Sequence, residues 1–281
     1  MITQIKPERL FRLIEENAVK VLDGSWALDG TDMSALYATD HIVGAQFFDL
    51  DIISDHATSL PHMAPSTVQF TYAIGQMGIS ENDHVVIYDR QGLFSAARVW
   101  WTFKLMGHDK VQVLRGGLPA WKAADLPVTD QVPTPVPTRY TSDYLPEKII
   151  NINDLQHTLK APGSLILDAR PKGRFEGTTP EPRAGLRAGL RAGHMPGSRS
   201  LPFGELLRDG ALKPREELET IFRTYGIDDV KTIITTCGSG VTAAIISMAL
   251  YEAGHTATRL YDGSWAEWGQ DNLDTPVITG L

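Results

Sequence analysis

One cysteine, Cys237, is the only thiol in this 281-residue chain. A lone thiol excludes an internal disulfide and makes a reducing, cytoplasmic setting the expectation. Positive charge is also in short supply. Lys and Arg number 26 against 34 Asp and Glu, and the net charge of -8 argues against non-specific nucleic-acid binding. No stretch approaches the ~18 unbroken apolar residues of a membrane span, and the segment from Met1 to Arg9 has no apolar run of the kind a secretory leader needs. The eight histidines are scattered and none has a compact ligand spacing with a second cysteine, so no metal is expected. A Gly-x-Gly-x-x-Gly dinucleotide fingerprint is missing too, and no cofactor is expected. What is present is ordinary for a globular chain, with 42% hydrophobic and 21% charged residues over about two domain lengths.

The chain contains itself twice. Displaced by 147 positions, Val85 to Trp121 aligns with Thr232 to Trp268 without a gap. Gly107-His108 falls on Gly254-His255, Gly116 on Gly263, Trp121 on Trp268 and Ala96 on Ala243. Further upstream the offset drifts, as loop insertions would make it do: Val21-Leu22-Asp23 answers Ile166-Leu167-Asp168, and His41 to Gly44 answers His194 to Gly197. Strands alternating with helices in each copy predict an α/β fold of two tandem domains, each a mainly parallel sheet with helices on both faces. Ligands of such sheets sit beyond the carboxyl ends of the strands. Three prolines in Val132 to Thr138 forbid helix and ladder bonding there. The expected organisation is therefore an N-terminal domain over 1–130, a linker over 131–144 and a C-terminal domain over 145–281. A monomer suffices for such a pair, with the cleft between the copies as the expected substrate site.

Cys237 sits where chemistry is expected. The β-branched run Thr232 to Thr236 predicts a strand, and Ala243 to Ala253 predicts an apolar helix ended by Gly254. Between them Cys237-Gly238-Ser239-Gly240-Val241-Thr242 forms a tight loop. The inward N–H groups of such a loop, added to the positive end of the helix dipole, favour an anion at its centre. A buried structural cysteine would not need glycines at Gly238 and Gly240. In the first copy Cys237 answers Arg90, Ser239 answers Gly92 and Thr242 answers Ser95. The first copy keeps the loop but has no nucleophile, so one active and one inactive half are expected.

These motifs resemble those of the two-domain rhodanese sulfurtransferases, and among them the 3-mercaptopyruvate sulfurtransferases. The resemblance runs from about Val19 to Val277 and is carried chiefly by Cys-Gly-Ser-Gly-Val-Thr-Ala, the loop associated with mercaptopyruvate. Leu167 to Arg170, Gly173-Arg174-Phe175, Glu181-Pro182-Arg183, Gly193 to Gly197 and Tyr261 to Trp265 support it. The resemblance implies that Cys237 takes sulfur from 3-mercaptopyruvate as a persulfide and passes it to a thiol acceptor such as thioredoxin or glutathione, or to cyanide. Arg174 and Arg183 would bind the donor's carboxylate and carbonyl, as guanidinium forks do. Ser239, His62 and Asp51 would form a proton relay, although His62 and Asp51 could equally stabilise a loop. Thr242 would either donate to the sulfur anion or cap the helix.

One departure stands out: Ala-Gly-Leu-Arg occurs twice in succession before Gly193-His194. The extra unit, which brings Arg187 and Arg191, is expected as a surface bulge that leaves Arg183 in its role; a shifted register would hand that role to Arg187. Thiosulfate is the alternative donor, disfavoured because Gly238 and Ser239 are uncharged beside the nucleophile. A phosphatase of this fold needs arginine six positions after its cysteine, where this chain has Ala243. A non-catalytic sulfur carrier or partner-binding module is the alternative outside enzymes.

Overall fold

A computed structural model of the chain describes residues 2–159, 163–182 and 189–280. The chain divides into two units. The first comprises Met1–Asp55, Ala64–Leu145 and Arg208–Leu212, and the second His56–Met63, Pro146–Leu207 and Lys213–Leu281. A short segment of the first half thus clusters with the second unit, and this matters for the site below.

In the first unit β1 (Gln4–Ile5), β2 (Lys20–Asp23), β3 (Gln46–Phe47), β4 (Val85–Tyr88) and β5 (Val111–Leu114) form one sheet in the order β1-β5-β4-β2-β3. In the second, β6 (Ile149–Ile150), β7 (Ser164–Asp168), β8 (Ser198–Ser200), β9 (Thr232–Thr236) and β10 (Thr258–Tyr261) form another, in the order β6-β10-β9-β7-β8. The two orders are the same when equivalent strands are matched. Every neighbouring pair in both sheets is parallel. Central strands of a parallel sheet are covered on both faces and are buried along their length, with few polar residues beyond threonine. All four residues of β4 are buried accordingly, as are the last four of β9.

The 147-residue displacement survives in the coordinates to the residue. The helix α1 (Ala96–Leu105) maps onto α2 (Ala243–Glu252), β5 maps onto β10, and α3 (Gly117–Ala123) starts where α4 (Ser264–Trp268) does. Each of α1 and α2 is buried almost all round, which explains why their apolar residues show no amphipathic stripe. Trp121 and Trp268 are fully buried, and each indole N–H donates to a proline carbonyl, of Pro127 and of Pro276, at 2.9 Å. These rings are core residues whose polar atom is satisfied.

The proline-rich stretch carries no helix or strand across 130–145. It is nevertheless docked on the first unit. The N–H groups of Thr138, Asp143 and Leu145 donate to the carbonyls of Gly75, Met106 and Leu105 at 2.9, 3.0 and 2.8 Å. Among the described residues no helix is long and apolar enough to cross a membrane.

One backbone position differs instructively between the copies. Gly117 opens α3 at φ +57°, and a Cβ there would lie 2.3 Å from the Asp89 carbonyl oxygen. Its equivalent, Ser264, opens α4 at φ +50° with a side chain in place. We expect Gly117→Ala to destabilise the protein by about 2 kcal/mol or more, since backbone must move as well as adopt a disfavoured φ. Urea unfolding of the variant checks this, and a loss below about 0.5 kcal/mol would contradict the crowding.

Candidate active site

Cys237 follows the last residue of β9 and is 2% exposed. Three hydrogen bonds from the start of α4 fix its backbone. The Cys237 N–H donates to Ser264 Oγ at 3.3 Å, while the N–H groups of Trp265 and Ala266 donate to the carbonyls of Cys237 and Gly238 at 3.0 and 2.9 Å. Ser264 Oγ in turn donates to the Tyr261 carbonyl at 2.8 Å. A non-glycine residue at φ +50° is strained by roughly 1–2 kcal/mol. The strain sits where the Ser264 hydroxyl meets the N–H of Cys237. Gly240 turns the loop with φ +79°, a conformation that costs glycine nothing. Thr242 stands at the N-cap of α2 and makes no side-chain capping bond, so of its two expected roles the cap is not the one observed.

The first copy shows what this loop is shaped to hold. There the carboxylate of Asp89, at the end of β4, accepts hydrogen bonds from the N–H groups of Gln91, Phe94 and Ala96 at 2.9, 2.7 and 2.9 Å. The loop amides close on a negative charge supplied by the loop itself. The equivalent amides of the second copy belong to Gly238, Val241 and Ala243, and the residue equivalent to Asp89 is Thr236, which has no charge. Among the described residues, no protein group accepts from these three amides. Their loop is therefore an anion cradle without a built-in anion, beside a thiol. Arg90, in the place of Cys237, donates to the Leu36 carbonyl at 2.8 Å and Asp40 Oδ1 at 2.7 Å.

Ser239, two residues beyond the thiol, is 5% exposed and shares a 3.2 Å hydrogen bond with Nδ1 of His62. His62 is 4% exposed and held at φ +60°, again a strained position. Burial shields this bond from competing water, which suits proton transfer more than surface decoration.

A ladder of alternating charges lies in the same unit. Arg170 lies between Asp168 and Glu181: its Nη2 donates to Asp168 Oδ2 at 2.8 Å and to the Gly193 carbonyl at 2.9 Å, and its Nη1 donates to Glu181 Oε1 at 2.8 Å. Its guanidinium also lies 4.2 Å from the Trp265 ring centroid. The other oxygen of Glu181 accepts from Nε of Arg174 at 3.1 Å and also from its Nη2.

Compared with known families, residues 6–124 and 151–271 each match the Rhodanese-like domain. The chain belongs to the rhodanese family. This tandem rhodanese is 39% identical to the thiosulfate/3-mercaptopyruvate sulfurtransferase 1 of Arabidopsis thaliana, over 94% of its own length and 75% of the relative's. It is 37% identical to the 3-mercaptopyruvate sulfurtransferase of Escherichia coli strain K12, covering 94% of this chain and 93% of that one. Among solved structures it is similar to SseA from Escherichia coli, described as a 3-mercaptopyruvate sulfotransferase, with a TM-score of 0.85, 34% identity and coverage of 95% and 100%.

The expected site residues fare differently in the rhodanese structure. Cys237, Gly238, Ser239, Gly240, Val241 and Thr242 form the one loop, and His62 is brought onto it. Asp51 belongs to the first unit, in an exposed turn where its N–H donates to Asp49 Oδ1 at 2.9 Å and its carbonyl accepts from Ser54 at 2.7 Å. Arg174 is an ion-pair member. Arg183 and Arg187 lie outside the described residues. Arg191, from the repeated unit, is a staple: it donates to the carbonyls of Thr275 and Trp268 at 2.6 and 2.8 Å. Sequence reasoning missed the ion-pair ladder in which Glu181 joins Arg170 to Arg174. The signal was present, since Glu181 precedes Pro182-Arg183 in a quoted motif, but nothing in the spacing says that one carboxylate spans two arginines.

Burial alone would raise the Glu181 carboxyl, but hydrogen bonds and charge from Arg174 and Arg170 outweigh it and hold it below its usual 4.5. The folded protein therefore binds this proton less readily than the unfolded chain. Glu181 contributes stability above about pH 4.5 that is lost as pH falls through its lower folded value. We expect Glu181→Gln to unfold at lower urea than the parent at neutral pH, with the difference narrowing in acid. A gap constant from neutral pH to pH 3 would contradict the ladder.

Proposed function

We propose that this rhodanese is a 3-mercaptopyruvate sulfurtransferase whose nucleophile is Cys237. The observation that carries the reading is the second-copy loop, which has the amides that grip a carboxylate in the first copy but a threonine in that carboxylate's place and a cysteine beside it. The names of the relatives supply the donor class. The uncharged Gly238 and Ser239 beside the thiol favour a keto acid over the thiosulfate dianion.

In the proposed reaction the Cys237 thiolate attacks the donor's sulfur, and the carbon–sulfur bond breaks with its electron pair moving to carbon. The departing group is the enolate of pyruvate. The proton of the donor's S–H is carried to that carbon, with Ser239 and His62 as the carriers and Asp51 as the third member of the relay. Cys237 is left as a persulfide whose outer sulfur bears the negative charge that the loop amides stabilise. An acceptor thiolate or cyanide then attacks that outer sulfur, the sulfur–sulfur bond breaks, and Cys237 returns as a thiolate. Arg174 and Arg183 bind the donor's carboxylate and carbonyl through their guanidinium forks. A low-molecular-weight thiol or a thioredoxin-type dithiol of a reducing cytoplasm is the acceptor this chemistry fits.

Mass spectrometry of the intact protein after exposure to 3-mercaptopyruvate should show one added sulfur atom per chain, absent in Cys237→Ser. Persulfide formation with thiosulfate but not with mercaptopyruvate would overturn the donor, and failure with both would favour a carrier loaded by another protein. Arg174→Lys should raise KM for mercaptopyruvate about tenfold through loss of paired hydrogen bonds. Asp51→Asn should lower kcat by tenfold or more if it orients His62, and unchanged turnover would remove it from the relay.

A further inference from the structure

A carboxylate that joins two arginines has no part in the reaction drawn above. Glu181 places one oxygen on Arg170 and the other on Arg174. Its side chain is 9% exposed, those of Asp168 and Arg170 are each 1% exposed, and that of Arg174 is 13% exposed. The ladder thus runs from a floor sealed off from water to a guanidinium that reaches it. Four alternating charges, Asp168, Arg170, Glu181 and Arg174, cancel, and an anion bound on Arg174 would extend the alternation by one.

We propose that Glu181 is a positioning residue that fixes the fork of Arg174 for the donor's carboxylate, with Arg170 and Asp168 as its rigid base. The inference rests on the reading of Arg174 as a donor-binding residue. A guanidinium has two edges able to form paired hydrogen bonds. Glu181 occupies the edge made by Nε and Nη2 and leaves Nη1 for a ligand. Arg170 cannot swing to follow Arg174, because it is gripped by Asp168 and the Gly193 carbonyl and stacked on Trp265. The carboxylate between them is therefore immobile, and so is the part of Arg174 that it holds. A glutamine at this place offers one accepting oxygen and one donating nitrogen, so it can serve only one of the two arginines and sets donor against donor at the other. Loss of orientation then outweighs the relief of repulsion between Glu181 and an incoming carboxylate.

The test is a double-mutant cycle read on separate half-reactions, with Arg174→Gln, Glu181→Gln and the pair, using 3-mercaptopyruvate as donor and cyanide as acceptor. In Glu181→Gln we expect KM for mercaptopyruvate to rise about tenfold with kcat within about threefold, and discharge of the preformed persulfide to cyanide to stay within about twofold. In the Arg174→Gln background the second substitution should change KM by less than about twofold, because the residue through which it acts has gone. An unchanged or lowered KM in Glu181→Gln, a multiplicative effect in the pair, or a parallel slowing of discharge overturns the proposal. Should Glu181→Gln fail to fold, Glu181→Asp retains the charge but is too short to hold both arginines, and the same cycle applies to it. If Arg174→Gln leaves KM unchanged, the donor-binding reading falls and this proposal with it. If Arg174→Gln raises KM but the Glu181 variant does not, the positioning role alone falls.

Discussion

Backbone N–H groups that converge at the end of a strand have to meet negative charge or water, and the chemistry of this molecule follows from how each copy meets that demand. In the first copy the demand is met by hydrogen bonds to a carboxylate one residue past β4. In the second no group among the described residues meets it, and the neighbouring residue is a cysteine. The same strand, loop and helix therefore enclose a carboxylate in one half and carry a thiol in the other. Among the positions at which the two loops differ, the pair Asp89-Arg90 against Thr236-Cys237 exchanges that carboxylate and a guanidinium for a hydroxyl and a thiol.

Much of this was legible in the sequence. The gapless 147-residue displacement predicted two equivalent sheets, and the observed strand orders and the matched starts of α1 with α2 and α3 with α4 agree with it. The reason is physical: β-branched runs buried on both faces and apolar helices between glycines leave few other arrangements. The loop after β9 was legible for the same reason, because Gly240 takes a left-handed turn that few other residues tolerate.

What escaped was long in range or opposite in sign to expectation. The bond between His62 and Ser239 spans 177 positions: the family resemblance implied that pairing, but no local pattern announces it. Arg191 resembled a spare surface charge, yet it ties a loop to carbonyls 77 and 84 residues away. Glu181 was read as a motif letter, whereas its role depends on two arginines at different distances along the chain. Ser264 carried no warning at all, since a serine at a left-handed position is recognised only from its φ.

The carboxylate lodged in the first loop has a consequence for stoichiometry. Tethered two to seven residues from the amides that bind it, Asp89 competes with dissolved ions at an effective concentration that none of them reaches in a cell. Thiol-directed reagents will thus find Cys237 alone in a chain built from two like halves. One equivalent per polypeptide is the full complement, and does not mean that half the sites are silent through cooperativity.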